Sequence, residues 1–532
     1  MSNTEAELKL RLADPTITDH LLTAPLLKEL STQPPSKQTL ETTYYDTADQ
    51  SLLKSRLSYR LRLANGQWTA TVKADGTSDG GLHQRAEYNV PVDSPLPSIE
   101  PFLTTDIGVR LAEAISEMPL EPVFSTRFER HIINLLTPDG SSIELALDAG
   151  DIFAGDKQQK ILELELELKE GQPEALVWLG AALADDFPLL PELDSKLYRA
   201  AVLAGLAAEL GRDTPLPTPL KKSSATQPAL QILSQVIIYH IHEVISAQQT
   251  YLSNPDEIET LHDFRVALRK LRGLINFSKP LLPAEEYANW QNKLTGYGHR
   301  LGSVRDLDVF SLAWDELAEY AKKILPVHTA KPTLAALIAG KRQATRDLLY
   351  DALAAGQLTP VLLGLWAFMQ KQANKNTDDP MPSLKEFALE RLAHWLKQFL
   401  KLGSALDLAD LDAVHELRIA GKRLRYTLDS LAPALPDNAQ LLSKRLEKLQ
   451  DSLGRIQDVA YTPPLLHELI KASASRLTHR DAGLITGWQL ARSLAAVDNW
   501  DRIWTKVEKA VAKIKKLKLH DEGATNKRSP EM

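Results

Sequence analysis

Two glutamates and a lysine alternate with apolar residues near the start of the chain. Glu5, Glu7 and Lys9 are separated by Ala6 and Leu8, and a period of two puts charged residues on one face of a β-strand. The same alternation recurs in segments 58–73, 84–90, 142–148 and 161–168. If these strands close into a barrel, their charged faces line a common interior.

An interior that holds carboxylates and guanidinium groups is a poor hydrophobic core, because buried charges are costly unless they are paired or bound to a ligand. Carboxylate oxygens are the ligands that Mg²⁺ and Mn²⁺ prefer, and Arg and Lys bind phosphate oxygens. The pattern therefore predicts a site for a phosphate chain held together with a divalent metal ion. For any single charged residue, the alternative is the solvated face of a strand.

A second set of basic residues follows helical spacing. His262, Arg265, Arg269 and Arg272 stand at i, i+3, i+7 and i+10, which form one stripe on an α-helix, and Lys270 lies beside it. The pattern recurs 153 residues later as His415, Arg418, Lys422 and Arg425, with Arg423 beside them. A single copy would be interpreted as a basic surface helix paired with neighbouring acids. Two copies without an acid inside the stripe favour a groove for a linear polyanion.

The period of the hydrophobic residues divides the chain into a sheet with flanking helices, a Pro-rich linker, an all-α region and a disordered polar tail. The boundaries that we predict for these four regions are 1–208, 209–228, 229–515 and 516–532. The repeat divides the helical region into two bundles, about 229–378 and 379–515. The predicted fold class is α+β, with an N-terminal antiparallel barrel and a C-terminal all-α domain.

The net charge of −7 hides an asymmetry between the two halves. Residues 1–220 hold 19 basic and 34 acidic residues, whereas residues 221–532 hold 43 basic and 35 acidic ones, so two differently charged domains are expected. The chain has no cysteine, which excludes disulfides, zinc ribbons, iron–sulfur clusters and thiol catalysis. The N-terminal residues lack a basic and apolar leader, and no apolar run approaches the roughly 18 residues that span a bilayer. We therefore expect a cytoplasmic protein without a membrane partner.

Glu5 to Lys9 form a complete ExExK motif, and further charged motifs follow it in order. These are Tyr59-Arg60-Leu61-Arg62, Thr71-Val72-Lys73, the segment Gly80–Arg85, the strand Ile143–Asp148 and Ser195-Lys196. With this order, residues 1–205 resemble the CYTH superfamily, also called the triphosphate tunnel metalloenzymes. The resemblance implies an eight-stranded antiparallel tunnel that hydrolyses a terminal phosphoanhydride with Mg²⁺ or Mn²⁺.

The resemblance also implies roles for individual residues. The catalytic residues would be Glu5, Glu7 and Lys9. The metal ligands would be Glu5, Glu7, Asp148, Glu163 and Glu165. The phosphate-binding residues would be Lys9, Arg60, Arg62, Lys73, Arg85, Arg130 and Lys196. Arg127 is left out, because a spacing of three places it on the opposite strand face from Arg130.

The repeated stripes resemble the CHAD domain, a conserved-histidine helical module often found beside CYTH domains, over about 228–515. The resemblance implies that the two stripes, with Lys270 and Arg423, bind inorganic polyphosphate. Nucleic acid is also a linear polyanion, but it ranks lower because neither stripe interleaves aromatic residues that could stack on bases. Together the two resemblances are those of a CYTH–CHAD protein of the bacterial inorganic triphosphatase type.

The predicted function is hydrolysis of inorganic triphosphate to diphosphate and phosphate, beside a polyphosphate-binding module, in the cytoplasm or on polyphosphate granules. One alternative is an enzyme for an organic triphosphate such as thiamine triphosphate, or a nucleotidyl cyclase. The other is a polyphosphate-binding or granule-associated protein with little catalysis. The complete carboxylate pairs favour an enzyme, because a binder without catalysis has no use for metal ligands.

Overall fold

The computed structural model describes residues 4–206, 218–324, 333–375, 381–436, 438–471 and 476–525. The chain divides into two units. The first consists of Met1–Pro217 with Ala352–Lys371, and the second of Thr218–Asp351 with Gln372–Met532.

The strands all belong to one antiparallel sheet in the first unit. They are β1 (Thr4–Leu12), β2 (Ser36–Asp46), β3 (Leu57–Ala64), β4 (Gln67–Asp79), β5 (Leu82–Val92), β6 (Glu121–Leu136), β7 (Ser142–Ala154), β8 (Lys157–Glu170) and β9 (Leu189–Pro191). The strand order is β5-β4-β3-β2-β6-β7-β8-β1, and β1 also pairs with β5, so eight strands close into a barrel. Strand β9 pairs with the end of β1. The predicted eight-stranded antiparallel barrel is confirmed.

The helices are mostly short in the barrel region and long beyond it. In chain order they are α1 (Thr18–Leu22), α2 (Pro25–Leu30), α3 (Ser51–Lys54), α4 (Gly108–Ile115), α5 (Glu174–Asp186), α6 (Lys196–Ala204), α7 (Ala229–Ser253), α8 (Ile258–Phe277), α9 (Ala284–Ile324), α10 (Thr333–Ala354), α11 (Thr359–Ala373), α12 (Leu384–Ser404), α13 (Leu411–Ser430), α14 (Asn438–Lys471), α15 (Arg476–Asp498) and α16 (Trp500–Thr525). Short 3₁₀ helices lie at Pro15–Ile17, Glu100–Phe102, Lys222–Thr226, Lys279–Leu281 and Ala432–Ala434.

The pairing register decides which side chains enter the barrel. Lys9 on β1 pairs with Glu165 on β8, and Glu5 pairs with Arg85 on β5, and directly opposed residues lie on the same face of a sheet. Lys73 on β4 contacts Glu5 across the intervening strand β5. A contact between strands that are not neighbours requires both side chains to point inward, so the charged face lines the interior.

The outer face of β1 and β8 is apolar and covered by α5. Leu8, Leu10, Leu164 and Leu166 are fully buried. A Cβ atom at Gly180 of α5 would lie 2.5 Å from the side chain of Leu8, so only a glycine allows the helix to approach the sheet this closely. The alternation in β1 and β8 therefore separates a charged interior from a packed exterior.

One end of the interior is apolar. Leu40, Phe128 and Ile152 pack with Ala200 and Ala201 of α6 in one buried cluster. On β6 and β7, the apolar members of this cluster share a strand face with the charged residues further along each strand. Helix α6 thus fills one end of the barrel and leaves the charged side chains beyond it.

Residues 352–371 depart from the predicted domain boundary, because they pack with the barrel unit although they lie inside the predicted helical domain. A Cβ atom at Gly356 would lie 2.4 Å from the carbonyl oxygen of Leu189, and Leu363 of α11 lies 3.5 Å from the Cβ position of Gly180. Hydrophobic periodicity predicts that α11 is helical, but it does not predict which part of the protein the helix packs against.

The second unit repeats one order of elements: a helix, a helix that carries a basic stripe, a 3₁₀ turn and a long helix. The backbone N–H of Ala229 donates to the carbonyl of Pro382 (2.9 Å), and that of Leu384 donates to the carbonyl of Gln227 (2.8 Å). These reciprocal bonds join the first residues of α7 and α12, where the two halves begin. Helices α8 and α13 also cross closely, since the hydroxyl of Thr427 lies 3.7 Å from the Cβ position of Gly273.

Parts of the predicted linker and tail have regular structure. The 3₁₀ helix Lys222–Thr226 lies inside the predicted linker, and α16 continues to Thr525, past the predicted start of the tail. Residues 209–217 of the linker and 526–532 of the tail lie outside the described residues. Within the described ranges, no single helix is long and apolar enough to cross a membrane. The helical segments Leu334–Ala354 and Thr359–Ala373 reach the necessary length and apolar composition only when taken together, and they are bent by 52° relative to each other.

Replacing Gly81 by Ala should destabilise the barrel more than replacing Gly66. Both glycines have a positive φ, +91° and +80°, but a Cβ at Gly81 would lie 2.9 Å from the carbonyl oxygen of Lys9, whereas no described atom lies within 4 Å of a Cβ at Gly66. Backbone strain costs about 1–3 kcal/mol in both variants, and overpacking adds about 1–3 kcal/mol at Gly81 alone. Thermal unfolding of the full chain should therefore show a larger fall in midpoint for Gly81→Ala. Equal shifts would contradict the close approach of β5 and β1.

Candidate functional site

Three predicted metal ligands meet inside the barrel. Asp148 on β7 pairs in register with Glu163 on β8, and together with Glu165 they form the carboxylate triad, in which one oxygen of each residue lies within 4.8 Å of the others. All three are buried. Nζ of Lys196, the first residue of α6, lies 2.7 Å from Asp148, 2.5 Å from Glu163 and 2.9 Å from Glu165. The ammonium group is therefore bound by all three members of the triad.

Two further predicted residues complete this network. Arg130 forms a bidentate pair with Asp148 at 2.7 Å for both bonds and also contacts Glu165 at 2.5 Å. Lys9 contacts Glu165 and lies 3.1 Å from Glu7. Burial alone would raise the pKa of Glu165, but Lys196, Lys9 and Arg130 hold it well below its usual value. Burial opposes ionisation of Asp148 as well, but Lys196 and Arg130 lower its pKa. Asp148 and Glu165 are thus ionised at neutral pH, which is the form that a metal ion requires.

Glu5 belongs to a second ion-pair group. Lys73 lies 2.5 Å from Glu5 and 3.2 Å from Glu87, and Arg60 lies 3.1 Å from Glu87. Burial opposes ionisation of Glu87, but Lys73 and Arg60 lower its pKa to about 2. The structure therefore brings Asp148, Glu163 and Glu165 together, whereas Glu5 contacts Lys73 and the partner of Glu7 is Lys9. The metal-binding role of Glu5 and Glu7 stays a prediction.

Arg62 lies in a region of surplus positive charge. Its Nε donates to the hydroxyl of Thr42 (3.1 Å), and among the described residues it makes no ion pair. Burial and the neighbouring guanidinium groups of Arg60 and Arg130 lower the pKa of Arg62 to about 10. Burial would raise the pKa of Tyr44 on β2, but Arg60 and Arg62 lower it. An anion bound at this wall of the barrel would relieve the mutual repulsion of the cations.

His83 is a buried residue of the site that the sequence did not single out. Nη2 of Arg85 lies 3.1 Å from Nδ1 of His83, and Nε2 of His83 lies 3.0 Å from the carbonyl oxygen of Glu192. Because an arginine only donates, Nδ1 must accept and Nε2 must donate, so the neutral ring holds Arg85. The signal in the sequence was the spacing of two, which puts His83 and Arg85 on one strand face.

Arg199 was also missed, one helical turn after Lys196. Its Nη2 lies 2.9 Å from Glu163 and its Nη1 lies 3.6 Å from Glu192. Arg127, which the spacing argument left out, is 71% exposed and pairs with Glu41. Thus the strand period correctly separated Arg127 from Arg130, while the helical neighbour on α6 required the fold.

The two basic stripes of the second unit meet. We name Arg265 and Arg269 on α8 with Arg418 and Lys422 on α13 the cation cluster. Burial, then Arg269, Arg418 and Arg265, lower the pKa of Lys422 to about 5, and the carboxylate of Asp306 opposes this shift. Burial and Arg269 also lower the pKa of Arg265 to about 10. Basic groups that are partly buried beside one another are unusual, because such charges are costly unless they are paired or bound to a ligand.

Two aspartates that the sequence-based site did not include lie beside the cation cluster. Asp306 on α9 lies 3.4 Å from Arg265. Its counterpart in the repeat, Asp458 on α14, is a negative charge close to Arg418 and Lys422 and partly offsets their positive charge. Burial raises the pKa of Asp458. Two acids beside four basic groups leave the surface cationic.

The remaining predicted residues of the stripes have other partners. Arg272 donates to Thr295 (2.9 Å) on α9. Arg423 stacks on Trp395 with Cζ 4.3 Å from the ring centroid, and Arg425 pairs with Glu447 at 3.2 Å. His262 is half-buried beside Arg305, and His415 is exposed. Lys270 lies close to His240 on α7, because it adds to the effect of burial in lowering the pKa of His240. Lys270 and Arg423 therefore lie against α7 and α12, and their role in binding stays a prediction.

A closed antiparallel barrel with buried carboxylates and cations is joined in one chain to a repeated helical domain with a basic surface. Residues 3–200 match the family model of the CYTH domain, and residues 235–467 match that of the CHAD domain. The chain belongs to the proteins that combine these two domains.

Relatives of known name cover different parts of the chain. It is 38% identical over 140 residues to the inorganic triphosphatase of Haemophilus influenzae. The aligned residues make up 26% of this chain and 38% of that relative. It is 24% identical over 503 residues to an uncharacterized protein of Mycobacterium tuberculosis, covering 90% of this chain and 92% of the relative. The CHAD domain from the plant Ricinus communis covers 56% of this chain and 96% of that structure, with 24% identity and a TM-score of 0.46.

His83 should make the chain less stable as the pH falls. Burial and the cations Arg85 and Lys9 lower the pKa of His83 to about 3 in the folded protein, against about 6.5 when unfolded. Between these values only the unfolded state takes up the proton, so the free energy of unfolding falls as the pH drops below about 6.5. Urea unfolding of the full chain at pH 7.5 and pH 5.0 should show a smaller pH effect for His83→Gln than for wild type.

His20→Gln is the matched control, because His20 is exposed on α1. This variant should keep the wild-type difference between the two pH values. If His83→Gln also keeps it, the buried neutral form of His83 is wrong.

Proposed function

We propose that the barrel is a metal-dependent triphosphatase whose substrate is inorganic triphosphate. The observation that supports this most directly is the juxtaposition of the carboxylate triad with the surplus cations on β3. Such a site can hold a divalent ion and a short phosphate chain at the same time. Likeness to the Haemophilus influenzae inorganic triphosphatase over part of the chain supports the same substrate.

The donor set of the triad fits a hard divalent cation, since its three carboxylates lie close enough to share one ion. Asp148, Glu163 and Glu165 would hold it, and Mg²⁺ or Mn²⁺ so bound neutralises charge and polarises a phosphoryl group. Arg60 and Arg62 bind the phosphate oxygens from the opposite wall.

The chain's own residues suit a reaction that needs positioning more than covalent chemistry. Phosphoryl transfer has a loose transition state, so fixed cations and an aligned water are sufficient and no Ser, Cys or His nucleophile is needed. Glu165 remains ionised because Lys196, Lys9 and Arg130 lower its pKa. A carboxylate of such low basicity is suited to orienting a water and not to holding its proton.

Arg62→Gln should impair catalysis without destabilising the barrel. Because Arg62 makes no ion pair with any described residue, the variant leaves no described carboxylate without a partner, and it relieves repulsion with Arg60 and Arg130. We expect kcat/KM for triphosphate to fall roughly 100-fold while the thermal midpoint stays equal or rises. Phosphate release is measured with Mg²⁺ or Mn²⁺, and with EDTA to remove the metal, on triphosphate, thiamine triphosphate, ATP and long polyphosphate.

The control is Arg127→Gln on the exposed face of β6, which should keep wild-type activity. If wild type releases phosphate from none of the four substrates, the triphosphatase proposal is wrong and the alternative of a binding protein stands. If thiamine triphosphate or ATP is cleaved faster than triphosphate, the enzyme is an organic triphosphatase instead.

We further propose that the cation cluster binds inorganic polyphosphate. The proposal is supported by the free energy that the protein loses by burying arginine donors without partners. The Nε–H groups of Arg265 and Arg418 are buried and have no hydrogen-bond partner among the described residues, and each such donor costs about 1–3 kcal/mol. A surface with such unpaired donors suits a ligand that is rich in acceptor oxygens. Joining it to the barrel in one chain raises the effective concentration of phosphate polymer near the enzyme, or carries the enzyme to polyphosphate deposits.

Binding of polyphosphate should be accompanied by uptake of about one proton at pH 7.5. Lys422 has a pKa of about 5 in the free protein and is therefore neutral at this pH, whereas a bound polyanion favours its charged form. Isothermal titration calorimetry in two buffers of different ionisation enthalpy measures the uptake. Lys422→Arg should abolish most of it and raise the affinity at pH 7.5, because Arg stays charged.

Lys385→Arg on the exposed side of α12 is the matched substitution outside the cluster, and it should leave both uptake and affinity unchanged. Equal proton uptake by wild type and Lys422→Arg would reject the role of Lys422. Absence of binding by wild type would reject the polyphosphate proposal itself.

A further inference from the structure

Three glycines lie close together in the middle of α9, a helix of 41 residues. They are Gly296, Gly298 and Gly302, and in a helix interior each costs about 1 kcal/mol relative to Ala. A Cβ at Gly298 would lie 2.5 Å from Nη1 of Arg272, and one at Gly302 would lie 3.3 Å from Nη2 of Arg265. Around a Cβ at Gly296 no described atom lies within 4 Å. Two of the three glycines therefore face stripe arginines.

The second half of the repeat has the same arrangement in a looser form. Gly454 on α14 is the counterpart of Gly302, and a Cβ there would lie 3.6 Å from Nη2 of Arg418, the counterpart of Arg265. In both halves, the arginine of the stripe helix packs on bare backbone of the long helix that follows it.

Side chains of α9 bind both the guanidinium and the backbone carbonyl of Arg272. Its Nη2 donates to the hydroxyl of Thr295 (2.9 Å), one turn before Gly298, and Nε2 of Gln291 donates to the carbonyl of Arg272 (2.9 Å). A methyl group at Gly298 would take the space of the second guanidinium nitrogen. The arginine, as a flexible side chain, would swing away and lose the bond to Thr295.

We propose that Gly298 and Gly302 are positioning residues of the polyphosphate-binding surface, where the lack of a side chain lets Arg272 and Arg265 lie flat against α9. This inference rests on the proposed binding of polyphosphate. It assigns a function to glycines that otherwise weaken the helix. Because Ala favours the helix, the same substitution should strengthen α9 and weaken ligand binding, and a purely structural role cannot produce these opposite effects.

The test compares Gly298→Ala with Gly296→Ala in the full chain, titrated with inorganic polyphosphate of one chain length at one salt concentration. Gly298→Ala should bind roughly tenfold more weakly, as expected for the loss of one charged hydrogen bond, and Gly302→Ala should lose less. Gly296→Ala should bind like wild type. The thermal midpoints of all three variants should equal or exceed that of wild type.

A double-mutant cycle identifies the arginine through which Gly298 acts. In an Arg272→Ala background, Gly298→Ala should change the affinity no further. Wild-type affinity in Gly298→Ala, or an additive loss in the double variant, would overturn the inference while leaving the proposed function intact. If the wild-type chain does not bind polyphosphate, the proposed function and this inference fall together, and that outcome is seen before any variant is compared.

Discussion

The contact between Lys196 and the carboxylate triad is the interaction on which the barrel interior depends. Three carboxylates within 4.8 Å of one another repel strongly in a buried site, and the desolvation of each charge costs several kcal/mol. Lys196, Arg130 and Lys9 offset this repulsion through direct contacts. The arrangement is possible only because β6, β7, β8 and β1 are neighbours in a closed barrel and because α6 delivers Lys196 into it.

The helical unit faces the opposite problem. Its cation cluster gathers three arginines and a lysine beside two aspartates. Burial and then the neighbouring arginines lower the pKa of Lys422 to about 5. The buried Nε–H groups of Arg265 and Arg418, which have no partner within the part of the chain that the structure describes, add to the cost. Where natural proteins leave buried polar groups without hydrogen-bond partners, they tend to do so at functional sites. Here such groups occur in both halves of the domain. The proposed polyphosphate ligand would restore part of the stability that such a surface gives up.

The repeat is symmetric in its scaffold and asymmetric in its chemistry. The two halves begin with reciprocal backbone bonds and use corresponding glycines beside corresponding arginines. Yet Arg269 is matched by Lys422, which can lose its proton, and Leu268 is matched by Gly421, whose Cβ position lies 3.4 Å from the ring of Phe399. Gly421 thus lies against the ring of Phe399, and of the two halves only the second contributes a lysine to the cation cluster.

The amino-acid sequence by itself determined which residues share a face. Period-two alternation separated Arg130 from Arg127, and helical spacing placed Arg265, Arg269 and Arg272 on one stripe. Resemblance to a known family supplied the eight strands of the barrel. These features were predictable because period is a local property of the chain, set by strand and helix geometry.

Only the tertiary structure decided which of these faces meet. Pairing of β7 with β8 placed Glu163 and Glu165 beside Asp148 in the triad, and closure of β1 against β5 brought Glu5 into contact with Lys73. It also brought in His83 and Arg199, turned Lys270 and Arg423 towards neighbouring helices, and joined residues 352–371 to the barrel unit. The reason is physical: periodicity states that a face is buried or charged, whereas its partner depends on register, closure and packing between residues far apart in the chain.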